Sequence, residues 1–426
     1  MRNVFRSSLV RVISEYASRV NAFSPNARLY LISAIIFGAA MGADRLLFNF
    51  YVLSLGFNEA QLGNMITAYN LSALIGALPM GYLADLLGRK RSFLVSYTLE
   101  SISIIGVVFW RTELAFMMFN ILAGIAFCFA AVTMSPFLME NSTEHERTYL
   151  FSFGMGIQMA MSSVGNWIGG YLPTWIAQRQ GVIPTSSIAY SGSILIIGIV
   201  AFLGLVPIFF LKTPRTGKAD QTVFAPISFA SKHPVLLSKL ISPMLVTSIG
   251  AGLIMPFMNV FYRQVYHQPD PVIGSLFAWG SLAMGIGLVI APPLADRIGK
   301  IQLVVITQAL SIPFLALMGF SPVFYLSAFS YYIRLALMNM SSPVYDTYVM
   351  EHVEPSARAM VASLVSMASN FGWAFSPTIS GWLQVRYGFT PPIVGTLILY
   401  SISIYMYWAF FWKKTPEESP SLITVD

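Results

Sequence analysis

One cysteine, Cys128, stands among 426 residues, so no disulfide can close within the chain and no cysteine metal cluster can form. Charge is scarce too. Charged residues make up 10% of the chain, where a soluble domain carries about 25%. Apolar residues reach 56%, and mean hydropathy is +0.68. These values exclude an ordinary soluble domain and indicate a membrane protein. The four histidines (His145, His233, His267, His352) are scattered, and none lies deep in an apolar run. Gly-x-Ser-x-Gly, His-Glu-x-x-His and Gly-x4-Gly-Lys-Ser/Thr are all missing. Enzymatic chemistry, a metal, a cofactor and ATP hydrolysis by a phosphate-binding loop are therefore not expected. The net charge of +7 does not point to nucleic acid; its distribution speaks of topology.

What is present is a series of twelve apolar runs, at about 29–53, 59–84, 91–110, 113–139, 148–176, 189–211, 238–263, 272–295, 301–319, 323–350, 358–384 and 390–412. Each is near or above the ~20 residues that span a bilayer. Backbone groups cannot stay unpaired in lipid, so each run is predicted to be a helix. Residues 1–28 hold Val4, Phe5, Leu9, Val12, Ile13, Tyr16, Val20 and Phe23 at helical spacing among arginines. They read as a surface amphipathic helix or as a frayed tail. Residues 212–237 form the widest polar gap and read as a linker between halves 29–211 and 238–412, with 413–426 as a tail.

Lys and Arg set the orientation. With the N-terminus inside, 19 of the 25 fall on inner segments and four on outer loops (Arg111, Arg179, Arg263, Arg386), leaving Arg45 and Arg334 within spans. Both termini are expected in the cytoplasm.

One stretch recurs. Gly81-Tyr-Leu-Ala-Asp85-Leu-Leu-Gly88-Arg89-Lys90-Arg91 has a second version, Pro292-Pro-Leu-Ala-Asp296-Arg-Ile-Gly299-Lys300. Asp85 and Asp296 are 211 residues apart, and the same offset relates Gly63 to Gly274, Glu140 to Glu351, Arg147 to Arg358 and Gly170 to Gly381. That regularity indicates an internal duplication. The stretch resembles the cytoplasmic signature of the major facilitator superfamily, which lies between helices 2 and 3 and recurs between 8 and 9. Leu86 stands where that family often has Arg, and Pro292 stands where the first copy has Gly81. The resemblance implies an all-α membrane protein of twelve transmembrane helices in two pseudo-symmetric six-helix bundles. Helices 1, 4, 7 and 10 would line a central cavity, and helix 3 would sit at the periphery. The signature residues Gly81, Asp85, Gly88, Arg89, Glu140, Arg147, Asp296, Gly299, Lys300, Glu351 and Arg358 are read as a cytoplasmic gate, or as membrane-orienting surface charge.

Few charges lie inside the spans: Asp44, Arg45, Glu100 and Arg334, with Asp346 nearer a helix end. Each is costly in lipid and needs a partner or water. Asp44 is read as a proton-coupling site or as half of a structural ion pair. Glu100 is read as a second coupling site or a structural carboxyl. Arg45, Asn49, Asn259 and Arg334 are candidate substrate contacts, with Met338 and Ser341 on the Arg334 stripe. Arg334 could instead pair with Asp44 or Glu100. The glycine pairs Gly38/Gly42 and Gly165/Gly169 read as helix packing.

The Asp-Arg pair on helix 1 resembles Spinster-like lipid transporters and some proton-coupled drug antiporters. Against the antiporters, Asn120 precedes Gly124 where they show Arg, and Gly165-Asn166-Trp-Ile-Gly169-Gly170 lacks their Pro, although Ser376-Pro377 restores one in the second half. The function implied is a secondary transporter in the plasma membrane, a monomer exchanging protons for a small organic solute or amphiphile across the bilayer, as an efflux antiporter. The alternatives are uptake of a polar metabolite, using Asn49, Asn64, Asn70, Asn259 and Asn339, and a non-transporting receptor or lipid-handling scaffold.

Overall fold

The helices begin where short polar side chains can take up free backbone N–H groups. Ser24 accepts from the Ala27 amide at 3.2 Å and starts α1 (Pro25–Ser54). Asn58 and Gln61 exchange bonds in a capping box that starts α2 (Glu59–Leu87). Between α2 and α3 (Arg89–Phe109) lies one residue, Gly88, at φ +79°; between α8 (Asp270–Ile298) and α9 (Lys300–Phe320) lies Gly299, at φ +94°. A side chain at either position would be strained, which explains the signature's second glycine. The remaining helices are α4 (Glu113–Glu140), α5 (Glu144–Gln180), α6 (Ser187–Phe209), α10 (Phe324–Glu351), α11 (Arg358–Tyr387) and α12 (Thr390–Phe411).

The seventh helix departs from the single span expected. It runs Pro234–Ile254, narrows to a 3-10 turn at Met255–Phe257, and resumes as Met258–Tyr266; together these are α7. Pro256 has no N–H to donate, so the ladder fails there. The surrounding carbonyls find side-chain donors instead: Ser380 donates to Leu253 and Asn49 to Pro256.

This computed structural model describes residues 23–212, 234–351 and 358–412. The amphipathic stretch before Phe23, most of the 212–237 linker and the tail from 413 lie outside the described residues. Among the described residues nine helices are long and apolar enough to cross a membrane; α5, α10 and α11 fall below that mark.

Helix packing repeats between the halves. In the first, α1 packs on α5 and α6, α4 on α2 and α3, and α3 on α6. In the second, α7 packs on α11 and α12, α10 on α8 and α9, and α9 on α12. Two long seams join the halves, α2 with α11 and α5 with α8. The expected glycine pairs do pack: Gly38 and Gly42 meet the α5 backbone at Gln158 and Ser162, while Gly165 and Gly169 meet α1 at Ala39 and Ala43.

The other repeated glycines, Gly63, Gly170, Gly274 and Gly381, sit in the seams. A Cβ on Gly63 would fall 2.3 Å from the Pro377 carbonyl oxygen, and one on Gly274 would fall 2.5 Å from that of Asn166. For Gly381 the neighbour is the Glu59 carbonyl at 2.2 Å, and for Gly170 it is Asp270 at 2.6 Å. All four contacts lie on the side of the bundle away from the chain's termini. Polar contacts between halves keep to the same region. Asn49 donates to Asn259 at 2.8 Å, Asn259 donates to the Leu46 carbonyl at 2.8 Å, Thr378 bonds Thr67 at 2.9 Å, and Gln264 bonds Glu59 at 2.6 Å. Arg263, at the end of α7, pairs with Asp270; Tyr190 of α6 donates to Asp270 at 2.8 Å; and the Arg263 guanidinium lies 3.5 Å over the Phe50 ring of α1. Among the described residues no hydrogen bond or ion pair joins the halves at the termini side. The molecule is thus closed on the far side.

Replacing both Gly63 and Gly274 by Leu should force this far side apart. In a Cys128→Ser background, spin labels at Ile183 and Tyr387 should report a longer mean distance than in the parent protein. The ion pair makes a separate prediction. Asp270→Asn leaves the Arg263 guanidinium without its counter-charge and should cost roughly 3 kcal/mol of closed-state stability. Tyr190→Phe should cost about 1 kcal/mol. Both are checked by the same distance distribution and by thermal unfolding.

Candidate functional site

Between the halves lies a cavity of about 630 Å³. α1, α4, α7 and α10 line it, as expected, and α2, α3, α5, α8 and α11 also contribute. Its aromatic walls come from Phe48, Tyr69, Phe119, Phe127, Phe277, Tyr331 and Trp373, and six asparagines reach it: Asn49, Asn70, Asn120, Asn166, Asn259 and Asn370. An apolar enclosure with a few placed polar groups is the usual character of a small-molecule site.

The charged groups gather on the first half's wall. Asp44 and Arg45 follow one another on α1, yet both reach the cavity, and Glu100 joins them from α3. Tyr69 of α2 lines the same part of the cavity. Arg45 is exposed to the cavity, whereas Glu100 is 5% exposed. No ion pair within 4 Å joins Asp44 or Glu100 to a base among the described residues. The expected peripheral place for helix 3 is corrected at this residue: α3 packs on α4 and α6, which turns Glu100 inward beside Asp44.

Asn49 and Asn259 also line the cavity, but their amides are spent on one another and on Pro256 and Leu46, so they form its floor. On α10 the lining residues are Tyr331 and Leu335. Arg334, Met338 and Ser341 are turned behind them. Ser341 donates to the Met338 carbonyl at 2.7 Å and accepts from Gln308 of α9 at 3.1 Å, and Met338 packs into the core. These two are not cavity contacts in this conformation, because a helix that faces the cavity through i, i+4 shows its neighbours an adjacent stripe. Nor does Arg334 pair with Asp44 or Glu100. It is 2% exposed and donates to Tyr400 at 3.0 Å and to the Met255 sulfur at 3.2 Å.

The signature residues lie at the termini side. Arg89 bonds Asp85 at 2.7 Å and Glu140 at 2.9 Å, tying α2, α3 and α4 together; Lys300 pairs with Glu351. Asp296 is exposed and makes no ion pair among the described residues. The Arg147 Nε is buried without a partner, and a Cβ on Gly81 would meet nothing within 4 Å. The Arg358 side chain lies outside the described residues.

Sequence reasoning missed Tyr69, Asn166, Asn370 and Trp373. The signal available for three of these was the lower hydropathy of α5 and α11, since polar residues in a span mark the face turned from lipid. It also placed Arg263 in an outer loop, where the structure shows it packed in the far-side closure.

Comparison with known proteins gives the same outline. The family model described as Major Facilitator Superfamily matches residues 29–267 and again 240–424. A gallate transporter of Pseudomonas putida is 26% identical over 185 residues, which cover 43% of this chain and 38% of that protein. The multidrug resistance protein MdtG of Proteus mirabilis (strain HI4320) is 21% identical over 416 residues, covering 94% of this chain and 98% of that one. Among solved structures, a bacterial homologue of the human lysosomal transporter Spinster, inward-facing and unoccupied, superposes with a TM-score of 0.75 at 12% identity, over 91% of this chain and 97% of that one. The nucleoside transporter NupG does so with a TM-score of 0.71 at 14% identity, over 91% and 99%. With two repeats matched across nearly its whole length, this chain belongs to the Major Facilitator Superfamily.

Proposed function

We propose that the protein is a proton-coupled secondary transporter that exchanges protons for a small organic solute by alternating access. The observation that carries this reading is the Asp44–Arg45–Glu100 cluster on the wall of a solute-sized cavity closed on one side. With both termini in the cytoplasm, as the Lys and Arg distribution indicates, the conformation described is open to the inside. The Spinster homologue it resembles is also inward-facing.

For exchange, solute and proton must exclude each other. A solute that donates a hydrogen bond or presents positive charge to Asp44 occupies the carboxylate and displaces its proton. Solute release leaves the carboxylate to be protonated again. Arg45 sets the balance, since its charge favours the ionised acid while burial favours the neutral one. The six cavity asparagines favour a second reading, proton-coupled uptake of a polar metabolite. There, a solute that draws Arg45 away would leave Asp44 to take a proton in with it. Gallate, the solute named for one relative, is a reasonable first probe, and a set of drugs follows from the other. A sealed vesicle in which no solute moves protons or itself would favour the receptor or scaffold reading.

The signature residues act in this reading as the inner gate. In support, Gly81 faces open space here, as a surface does whose partner arrives only on closure. Asp85→Asn should weaken the Asp85–Arg89–Glu140 group and favour the inward-open form. Spin labels at Leu86 and Ile298 should then lose their short-distance population.

The coupling test uses Asp44→Asn. Purified, folded protein in vesicles with an internal pH dye is given solute under an imposed pH gradient, and solute counterflow is measured beside it. The pH-driven rate should fall at least ten-fold with part of the counterflow retained. In the parent protein, solute entry that makes the lumen more alkaline supports exchange, and entry that acidifies it supports uptake with protons. A folded Asp44→Asn protein with its full pH-driven rate would move the coupling site to Glu100.

A further inference from the structure

Among the described residues, Arg334 is a cation without a counter-ion. It lies in the middle of α10 and is 2% exposed, and no carboxylate comes within 4 Å of it among the described residues. Its donors reach a tyrosine hydroxyl and a thioether sulfur, a weak acceptor. Its Nε is buried and bonded to nothing. One turn earlier on the same face, the Ser330 hydroxyl is also buried and bonded to nothing. A buried charge left this way is costly in an apolar span, and two orphaned donors one helical turn apart describe a place for oxygen atoms that are not part of the chain.

Access runs through Met255. Its sulfur accepts from the guanidinium, and the same side chain forms part of the cavity wall, as do Tyr331 and Leu335 on either side of Arg334 along α10. Met255 also stands at the 3-10 break of α7, where the backbone is already out of helical register, and an unbranched thioether side chain swings aside at little cost.

We propose that Arg334 and Ser330, screened by Met255, form an anion subsite of the central cavity that takes the carboxylate of a small organic acid whose apolar, planar body lies against the aromatic wall. A carboxylate would accept from Nε and one terminal nitrogen in the two-point geometry that guanidinium favours. The inference rests on the central cavity being the solute site, but not on proton coupling or on the direction of transport.

Benzoate and its neutral isostere benzamide test it by equilibrium binding to the purified full chain, with thermal unfolding of each variant alongside. Benzoate should bind at least ten-fold more tightly than benzamide. Arg334→Lys, which keeps the charge and loses the fork, should reduce that preference at least five-fold. Met255→Glu supplies a carboxylate from the chain itself, and should raise the unfolding temperature while abolishing benzoate binding. The proposal is overturned if benzoate and benzamide bind alike. It is also overturned if Met255→Glu lowers the unfolding temperature with benzoate binding unchanged, or if Arg45→Gln removes the preference while Arg334→Lys keeps it. The last result would put the anion at Arg45 and leave the transporter reading standing. Loss of solute-driven proton flux with the benzoate preference intact would do the reverse.

Discussion

Backbone lies directly on backbone where the two halves meet, and the rest of the molecule is arranged around that contact. Carbonyl oxygens of Glu59, Asn166, Asp270 and Pro377 occupy the space that side chains at Gly381, Gly274, Gly170 and Gly63 would need. Each of these contacts has its mate 211 residues away, so the closure is two-fold like the fold itself. In an apolar solvent there is no hydrophobic force to bring helices together, and close packing must do the work. The glycines supply it. The Arg263–Asp270–Tyr190 group then adds charge where the seams end, and the Asn49–Asn259 clasp seals the cavity floor. A cavity closed on one side follows from these contacts.

The duplicated backbone carries unequal chemistry. In the first half, two carboxyls and one guanidinium share a wall of the cavity. In the second, Ala123's counterpart on α10 is Arg334, set behind the wall and held by a hydroxyl and a sulfur. Gene duplication preserves packing because each half must satisfy the same seams. Solute recognition has no such requirement, since a solute in the middle sees both halves at once and needs different groups from each.

The sequence made the helices readable because lipid permits few alternatives: an apolar run of sufficient length must pair its own backbone. The duplication and the signature were readable because offset 211 joined residues with fixed geometric tasks, Gly88 and Gly299 at positive φ among them. Facing was not readable. Arg334, Met338 and Ser341 share a stripe, but nothing local says whether that stripe meets the cavity or α9 and α12. Glu100 was a candidate from the sequence, but its facing was hidden for the same reason, since the inward turn of α3 is set by its packing on α4 and α6. Asp270 and Arg263, seven residues apart, differ from ordinary loop charges only in their partners, Tyr190 and Phe50, which lie far away in the chain. The Pro256 break was visible as a proline, but its use, to free a carbonyl for Asn49, required the second helix.

The ion pairs at the termini side bear on how such a molecule moves. Arg89 joins α3 to α2 and α4, and Lys300 joins α9 to α10; neither pair crosses between halves. Among the described residues they are formed while no hydrogen bond or ion pair joins the halves on that side. Each fastens three or two helices of one half into a unit at its loose end, as the far-side seams fasten the two halves to each other. A structure tied inside each half and hinged at one side favours rocking of whole halves over bending of single helices. The exception is α7, whose ladder is already broken at Met255–Phe257, between the cavity and the closed side. Local rearrangement is therefore cheapest at the one place where the cavity wall, the floor clasp and the buried Arg334 all meet.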